Sequence, residues 1–180
     1  QSPQTLINWY NDKPELFESA DHITFNSFTQ WERYQPLFSI QNKKPSPGLR
    51  VNPEYSEVKT ACYNPCLPHS RFGLTKLQLR NKDLTGIEGL HFHALCGSSD
   101  ATLARTLMVF ETQFSEWLPN MKWVNFGGGH LITDATYDRD HLCELINTFQ
   151  DKYDVQVILE PGEAVVHQTG YLVTEVLDII

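Results

Sequence analysis

The chain has 180 residues, 41% of them hydrophobic and 12% aromatic, enough for one compact domain with a buried core and too few for two independent ones. Its formal net charge of −8, with no lysine or arginine cluster, argues against a nucleic-acid or anionic-membrane surface and remains compatible with a cationic substrate. No run reaches membrane-spanning length and the first residues lack a secretory pattern; Cys62, Cys66, Cys96 and Cys143 are too sparse for a disulfide framework, so reduced thiols in a cytoplasmic setting are expected.

In chain order, residues 4–19 place Leu6, Ile7, Tyr10, Leu16 and Phe17 at rough helical spacing, interrupted at Asp12-Lys13-Pro14. His22 to Asn26 reads as a short strand, and Ser27 caps an amphipathic helix reaching Phe38. A second strand, Gly48 to Asn52, lies between Pro47 and Pro53 and leads into a long proline-punctuated loop from Glu54 to Arg71. Gly86 to Ala94 is a third strand. Ser98, Ser99 and Asp100 then offer caps to a helix carrying Leu103, Leu107, Phe110, Phe114 and Leu118 on one face, closed by Pro119-Asn120. The strand from Lys122 stops at Gly127-Gly128-Gly129, and Asp138 or Asp140 caps a helix bearing Leu142, Leu145, Ile146 and Phe149. Val155 to Leu159 is the fifth strand, and the β-branched stretch from Gly170 to Ile180 breaks the alternation and reads as the start of an antiparallel element.

Strands alternating with helices imply right-handed βα connections and a parallel sheet, either doubly wound or closed into a barrel. A doubly wound sheet sets its glycine-rich turn directly against a helix in the first unit. Here the glycines end the fourth strand and residues 130–137 intervene, which favours the barrel. A closed eight-stranded barrel needs about 250 residues. The expectation is therefore an α/β fold, most of a (β/α)8 barrel over residues 1–169 without its first strand or strands, with the start of a β-domain over residues 170–180.

Three strand ends carry residues capable of chemistry. Gly127, Gly128 and Gly129 bare the backbone, so that successive N–H groups can face one anion such as phosphate; a tight turn after a buried strand is the plainer alternative. His91 and His93 are two apart and share a face, with His93 nearer the mouth, where an imidazole can stack on a planar ligand; satisfied core histidines are the alternative, more so for His91 than for His93. Arg50, in an otherwise apolar strand, calls for an anionic partner, either a ligand or an internal ion pair. Glu160 closes the fifth strand ahead of Pro161-Gly162, where its carboxylate can hold a basic ring nitrogen protonated or form a structural salt bridge. Cys62, Cys66 and His69, or His91, His93, Cys96 and His130, match no specific ligand spacing, so no metal site is expected.

The order His-Phe-His, Gly-Gly-Gly and Glu-Pro-Gly at successive strand ends resembles the barrel domain of the pyridoxal-phosphate-dependent decarboxylases of alanine-racemase-like fold, which include ornithine and diaminopimelate decarboxylases. Gly48-Leu49-Arg50-Val51-Asn52-Pro53, Tyr63-Asn64-Pro65-Cys66, Arg71-Phe72-Gly73, Leu90 to Cys96 and Glu160 to Ala164 are similar to the carboxynorspermidine (carboxyspermidine) decarboxylases within it. The resemblance implies pyridoxal 5'-phosphate as cofactor, a carboxylated polyamine as substrate, norspermidine or spermidine as product, and a homodimer. It implies that His93 stacks on the cofactor ring as the catalytic histidine, that Gly127, Gly128, Gly129 and Gly162 hold its phosphate, that Arg50 lies near its phenolic oxygen and that Glu160 pairs with its pyridine nitrogen. Glu163 stands where ornithine-type enzymes carry arginine, and its carboxylate could read a substrate ammonium. Leu95-Cys96 lengthens the usual histidine-to-serine spacing, which leaves a phosphate role for Ser98 open.

The family's cofactor-bearing lysine ends the first barrel strand, and a C-terminal β-domain and a partner subunit complete its site. No lysine here ends an apolar strand in a first unit, and Lys59 alone lies on the plausible side. The expectation is a fragment that does not decarboxylate by itself. A non-catalytic module derived from the barrel, another decarboxylase of the ornithine or diaminopimelate type, and metal-dependent hydrolysis are the alternatives.

Overall fold

The computed structural model describes residues 19–39 and 45–178. The helical stretch expected at 4–19 lies outside these, save its last residue. Five strands, β1 (His22–Phe25), β2 (Ser46–Arg50), β3 (Gly89–His91), β4 (Trp123–Asn125) and β5 (Gln156–Ile158), form one sheet in the order β1-β2-β3-β4-β5 with every neighbouring pair parallel. A doubly wound sheet reverses its strand order at a switch point; this one advances without reversal, as a single continuous wind does.

The helices are α1 (Phe28–Tyr34), α2 (Lys76–Leu79), α3 (Asp100–Phe114), α4 (Arg139–Tyr153) and α5 (Gly162–Val166). Ser27 caps α1 by accepting from the Gln30 N–H, Ser99 caps α3 through the Thr102 N–H, and Asp138 rather than Asp140 caps α4 through the His141 N–H. Sequence periodicity missed α2, a single turn that exists because Thr75 and Gln78 form a reciprocal capping box. The loop from Glu54 to Arg71 is pinned to the outer layer. The Arg105 guanidinium donates to both Glu57 oxygens at 2.6 and 2.8 Å, and Ser56 Oγ donates to the Ala94 carbonyl.

Register divides the sheet into two faces. Leu49, Leu90 and Val124 are aligned, fully buried, and belong to the apolar cluster that includes Leu103, Leu107, Phe110 and Phe114 of α3. Phe92 and Phe126, just beyond β3 and β4, continue that cluster, stacking with ring centroids 5.3 Å apart and reaching Phe110 and Phe149. On the opposite face Gly48, Gly89 and Trp123 are aligned one level below Arg50, His91 and Asn125. Either glycine, given a Cβ, would collide with the indole, so Trp123 lies across both strands. Its Nε1 donates 2.8 Å to Ser46 Oγ, which donates to Glu88, itself paired with Lys122. This network fills the level of that face immediately below Arg50, His91 and Asn125.

Residues 170–178 form no strand, and Tyr171, Leu172, Val173, Val176 and Leu177 are exposed. The β-branched composition there meets no ladder among the described residues. No helix among those residues is long and apolar enough to cross a membrane.

Candidate active site

Arg50 and His91 occupy the last positions of β2 and β3, aligned with each other and with Asn125 at the end of β4. Placing polar groups in the final inward register is how a parallel sheet concentrates chemistry at its carboxyl edge. The Arg50 guanidinium carbon sits 4.8 Å from the Phe72 ring centroid. Burial pulls its pKa below the usual value, opposed by Cys66 and Glu160, and Arg50 forms no ion pair with a described residue. The internal-ion-pair alternative for it is therefore not met among these residues.

His91 is 8% exposed and neither ring nitrogen has a hydrogen-bond partner. Burial pushes its pKa down to about 4, so the ring is neutral at pH 7. His93 is more open, its Nδ1 receiving a long 3.5 Å approach from the Gly128 N–H. The two rings meet edge to face with centroids 6.0 Å apart. Glu160 Oε2 lies 3.8 Å from both His91 Nε2 and His93 Nδ1, too far for a direct hydrogen bond and close enough for charge attraction. The neighbouring His93 ring and the Asn125 amide, against the opposing effect of burial, hold the Glu160 carboxyl down at about 2, so it is ionised throughout the physiological range.

Asn125, which sequence reasoning passed over, joins the site together. Its Nδ2 donates to Glu160 Oε1 at 2.9 Å while its Oδ1 accepts from the Gly127 N–H at 2.8 Å. One side chain thus orients the carboxylate and anchors the glycine turn. The available signal was its place two residues after Trp123, on the inward period of an otherwise apolar strand.

The glycines are required by close packing. Gly127 and Gly129 have φ of +71° and +85°, and a Cβ on Gly127 would lie 2.6 Å from the Phe92 carbonyl oxygen. On Gly128 a Cβ would come 2.6 Å from the Glu160 carbonyl oxygen and 3.3 Å from the His93 ring. Gly127 has its N–H engaged by Asn125 and Gly162 has its own engaged by the Glu160 carbonyl, so neither offers a free donor, whereas the space beyond Gly162 is open. Ser98 is tied by its backbone to Gly129 and Leu131, and its hydroxyl turns to the Cys96 backbone. Glu163, half exposed, sits one turn from His167 with 3.8 Å between carboxylate and ring. Lys59 lines a cavity of about 540 Å³ with Tyr63, Cys96, Gly97 and Ser98, whose lining includes none of Arg50, His93 and Glu160.

Among the described residues His91, His93 and Glu160 also bring one ligating atom each within 4.8 Å of one another, whereas the cysteine-containing sets considered from sequence form no such group. The donor set suits a pyridoxal cofactor equally. An ionised carboxylate, a half-open imidazole, an unpaired guanidinium and a cramped glycine turn lie at or just beyond the carboxyl ends of neighbouring strands.

No protein-family model matches the chain. It is 49% identical over 166 residues to a carboxynorspermidine/carboxyspermidine decarboxylase of Campylobacter jejuni, covering 92% of this chain and 42% of that protein. It is 43% identical over 171 residues to a carboxyaminopropylagmatine decarboxylase of Synechocystis, covering 94% and 44%. The crystal structure of the Campylobacter jejuni carboxynorspermidine decarboxylase complexed with norspermidine superposes with a TM-score of 0.77 at 48% identity, over 92% of this chain and 41% of that one. The chain thus spans less than half the length of these relatives.

Proposed function

We propose that this chain, a homologue of the carboxynorspermidine/carboxyspermidine decarboxylases, supplies the cofactor-binding part of a pyridoxal-phosphate-dependent carboxy-lyase that acts on a carboxylated polyamine in a homodimeric, cytoplasmic enzyme. The sequential parallel sheet is then part of a (β/α)8 barrel, and the β-branched stretch from Gly170 is the start of a β-domain. The observation that carries the reading is Glu160, ionised and oriented by Asn125 at a strand's carboxyl end beside His93 and Arg50.

Bound there, pyridoxal phosphate supplies an electron sink for the carbon–carbon bond that breaks. The chain's own residues set the conditions for it. Glu160 keeps a proton on the pyridine nitrogen by direct charge pairing. His93 would hold the ring, and Arg50 would neutralise the phenolic oxygen. Gly128 and Gly129 would lend backbone N–H groups to the phosphate, Gly128 giving up its long approach to His93 Nδ1, while Gly127 and Gly162 shape the turn. Glu163 would select the positive end of the polyamine. The similar identity to relatives named for two different carboxylated amines supports the class of substrate more strongly than one member of it.

The test is carbon dioxide release from carboxynorspermidine by the whole enzyme with cofactor present. Glu160→Gln keeps the shape and removes the charge, and it should lower kcat by about two orders of magnitude or more. Full turnover in that variant would overturn the reading.

A further inference from the structure

The side chains that would surround the pyridine ring have a second competence. Each offers one ligating atom, and all three atoms fall within 4.8 Å of one another. Glu160 Oε2 stands 3.8 Å from each of two imidazole nitrogens. Donors around a tetrahedral zinc ion, bound at about 2.0 to 2.1 Å, are separated by roughly 3.3 Å, so each histidine–carboxylate separation must close by about half an ångström and the histidine pair by up to about one and a half, which side-chain rotation can supply.

Three features distinguish this group from a chance gathering. His91 is buried and both its nitrogens lack partners, so a buried ring nitrogen stands 3.8 Å from the carboxylate with nothing satisfying it. Register sets His91 beside Asn125 at the carboxyl ends of β3 and β4, so the group stands on paired strands. Asn125 donates to Glu160 Oε1, leaving Oε2 turned toward the rings, which is the outer support that ligating carboxylates carry. Two imidazoles and one carboxylate with open positions toward the mouth suit a first-row transition ion and not magnesium or calcium.

We infer that His91, His93 and Glu160 form a facial binding site for a divalent transition-metal ion in the cofactor-free protein, and that metal and cofactor exclude one another because both require His93 and Glu160. This differs from the expectation of no metal site drawn from residue spacing, which never joined Glu160 to the histidines. The exclusion, unlike the metal binding itself, rests on the cofactor placement proposed above. His91 distinguishes the two ligands, since only the metal uses its nitrogen.

The experiment titrates chelator-stripped, cofactor-free protein with Zn²⁺ against a chromophoric chelator and with Co²⁺ by its absorbance, after alkylation of the exposed Cys62, Cys96 and Cys143. One ion should bind per chain, Mg²⁺ should not compete, and saturating pyridoxal phosphate should displace the ion. His91→Leu removes two unpaired nitrogens and His91→Gln retains polarity without an imidazole; each should weaken Zn²⁺ about a hundredfold, and Asn125→Ala about tenfold. Melting curves verify that the variants fold. Zn²⁺ affinity unchanged in both folded His91 variants overturns the site, and simultaneous binding of metal and cofactor overturns the exclusion. Zn²⁺ binding that needs all three residues in a protein that takes no cofactor would uphold the metal site and sink the cofactor reading.

Discussion

Replacing Asn125 by Asp tests the contact on which the site depends, because it changes one nitrogen to oxygen at constant shape. The Gly127 N–H keeps its acceptor, while the atom 2.9 Å from Glu160 Oε1 becomes a carboxylate oxygen. Two unit charges at that separation repel by about 6 kcal/mol at an effective dielectric constant near 20. Glu160 is 47% exposed, so solvent screening reduces this to about half, roughly 3 kcal/mol or two pH units. The introduced carboxyl and Glu160 then share a proton, with an upper apparent pKa near about 6 instead of about 4. In the wild type Glu160 is depressed to about 2, so its contribution is complete above the unfolded value and falls away only in acid. In N125D the folded pair binds more protons than the unfolded chain between about pH 4 and pH 6, so stability falls as pH rises through that window and stays low above it. Thermal melts of both proteins should show a small deficit near about pH 4.5 and one about 6 to 12 °C larger near about pH 7.5. A deficit equal at both pH values would refute the contact.

Three other perturbations follow from the same geometry. His141 Nδ1 lies 2.7 Å from Asp100 Oδ2, which raises the histidine's pKa and lowers the aspartate's; the pair's stabilisation is present between those values, lost as pH rises through the folded His141 value and lost again as it falls through that of Asp100, so H141Q should melt below wild type near neutrality and converge with it in alkali. Trp123→Ala should cost about 3 to 5 kcal/mol in denaturant unfolding, and Gly89→Ala, destabilising alone because of the indole, should add little in the Trp123→Ala background. Glu163→Gln should raise the substrate KM of the whole enzyme far more than it weakens cofactor binding, whereas loss of cofactor alone would show that its carboxylate does not read the substrate.

The polar residues that end apolar runs were legible in the sequence. Arg50, His93, the three glycines and Glu160 stand out because a strand's last inward position is where a polar group conflicts with its surroundings. What stayed hidden depends on register, which links residues far apart in the chain. Asn125 looks like one more polar residue until pairing sets it under Glu160, and Gly48 and Gly89 look like weak strand formers until Trp123 is laid across them. The reading of the glycines as open phosphate donors was too simple for Gly127 and Gly162, since their amides have partners in the folded chain that spacing does not show. Residues 170–178 form no strand with the described residues, so the β-domain expected there rests on composition alone.

The most direct test of the account is an equilibrium titration of the purified protein with pyridoxal phosphate, followed by cofactor absorbance and tryptophan fluorescence, in wild type, Glu160→Ala, His93→Ala and Gly128→Ala. Removal of a charged hydrogen-bonding partner should weaken binding about tenfold to a hundredfold in Glu160→Ala, with measurable losses in the other two, where a ring contact is deleted or a methyl group is forced against the Glu160 carbonyl. Equal affinity in wild type and all three variants would contradict the claim that this mouth holds the cofactor.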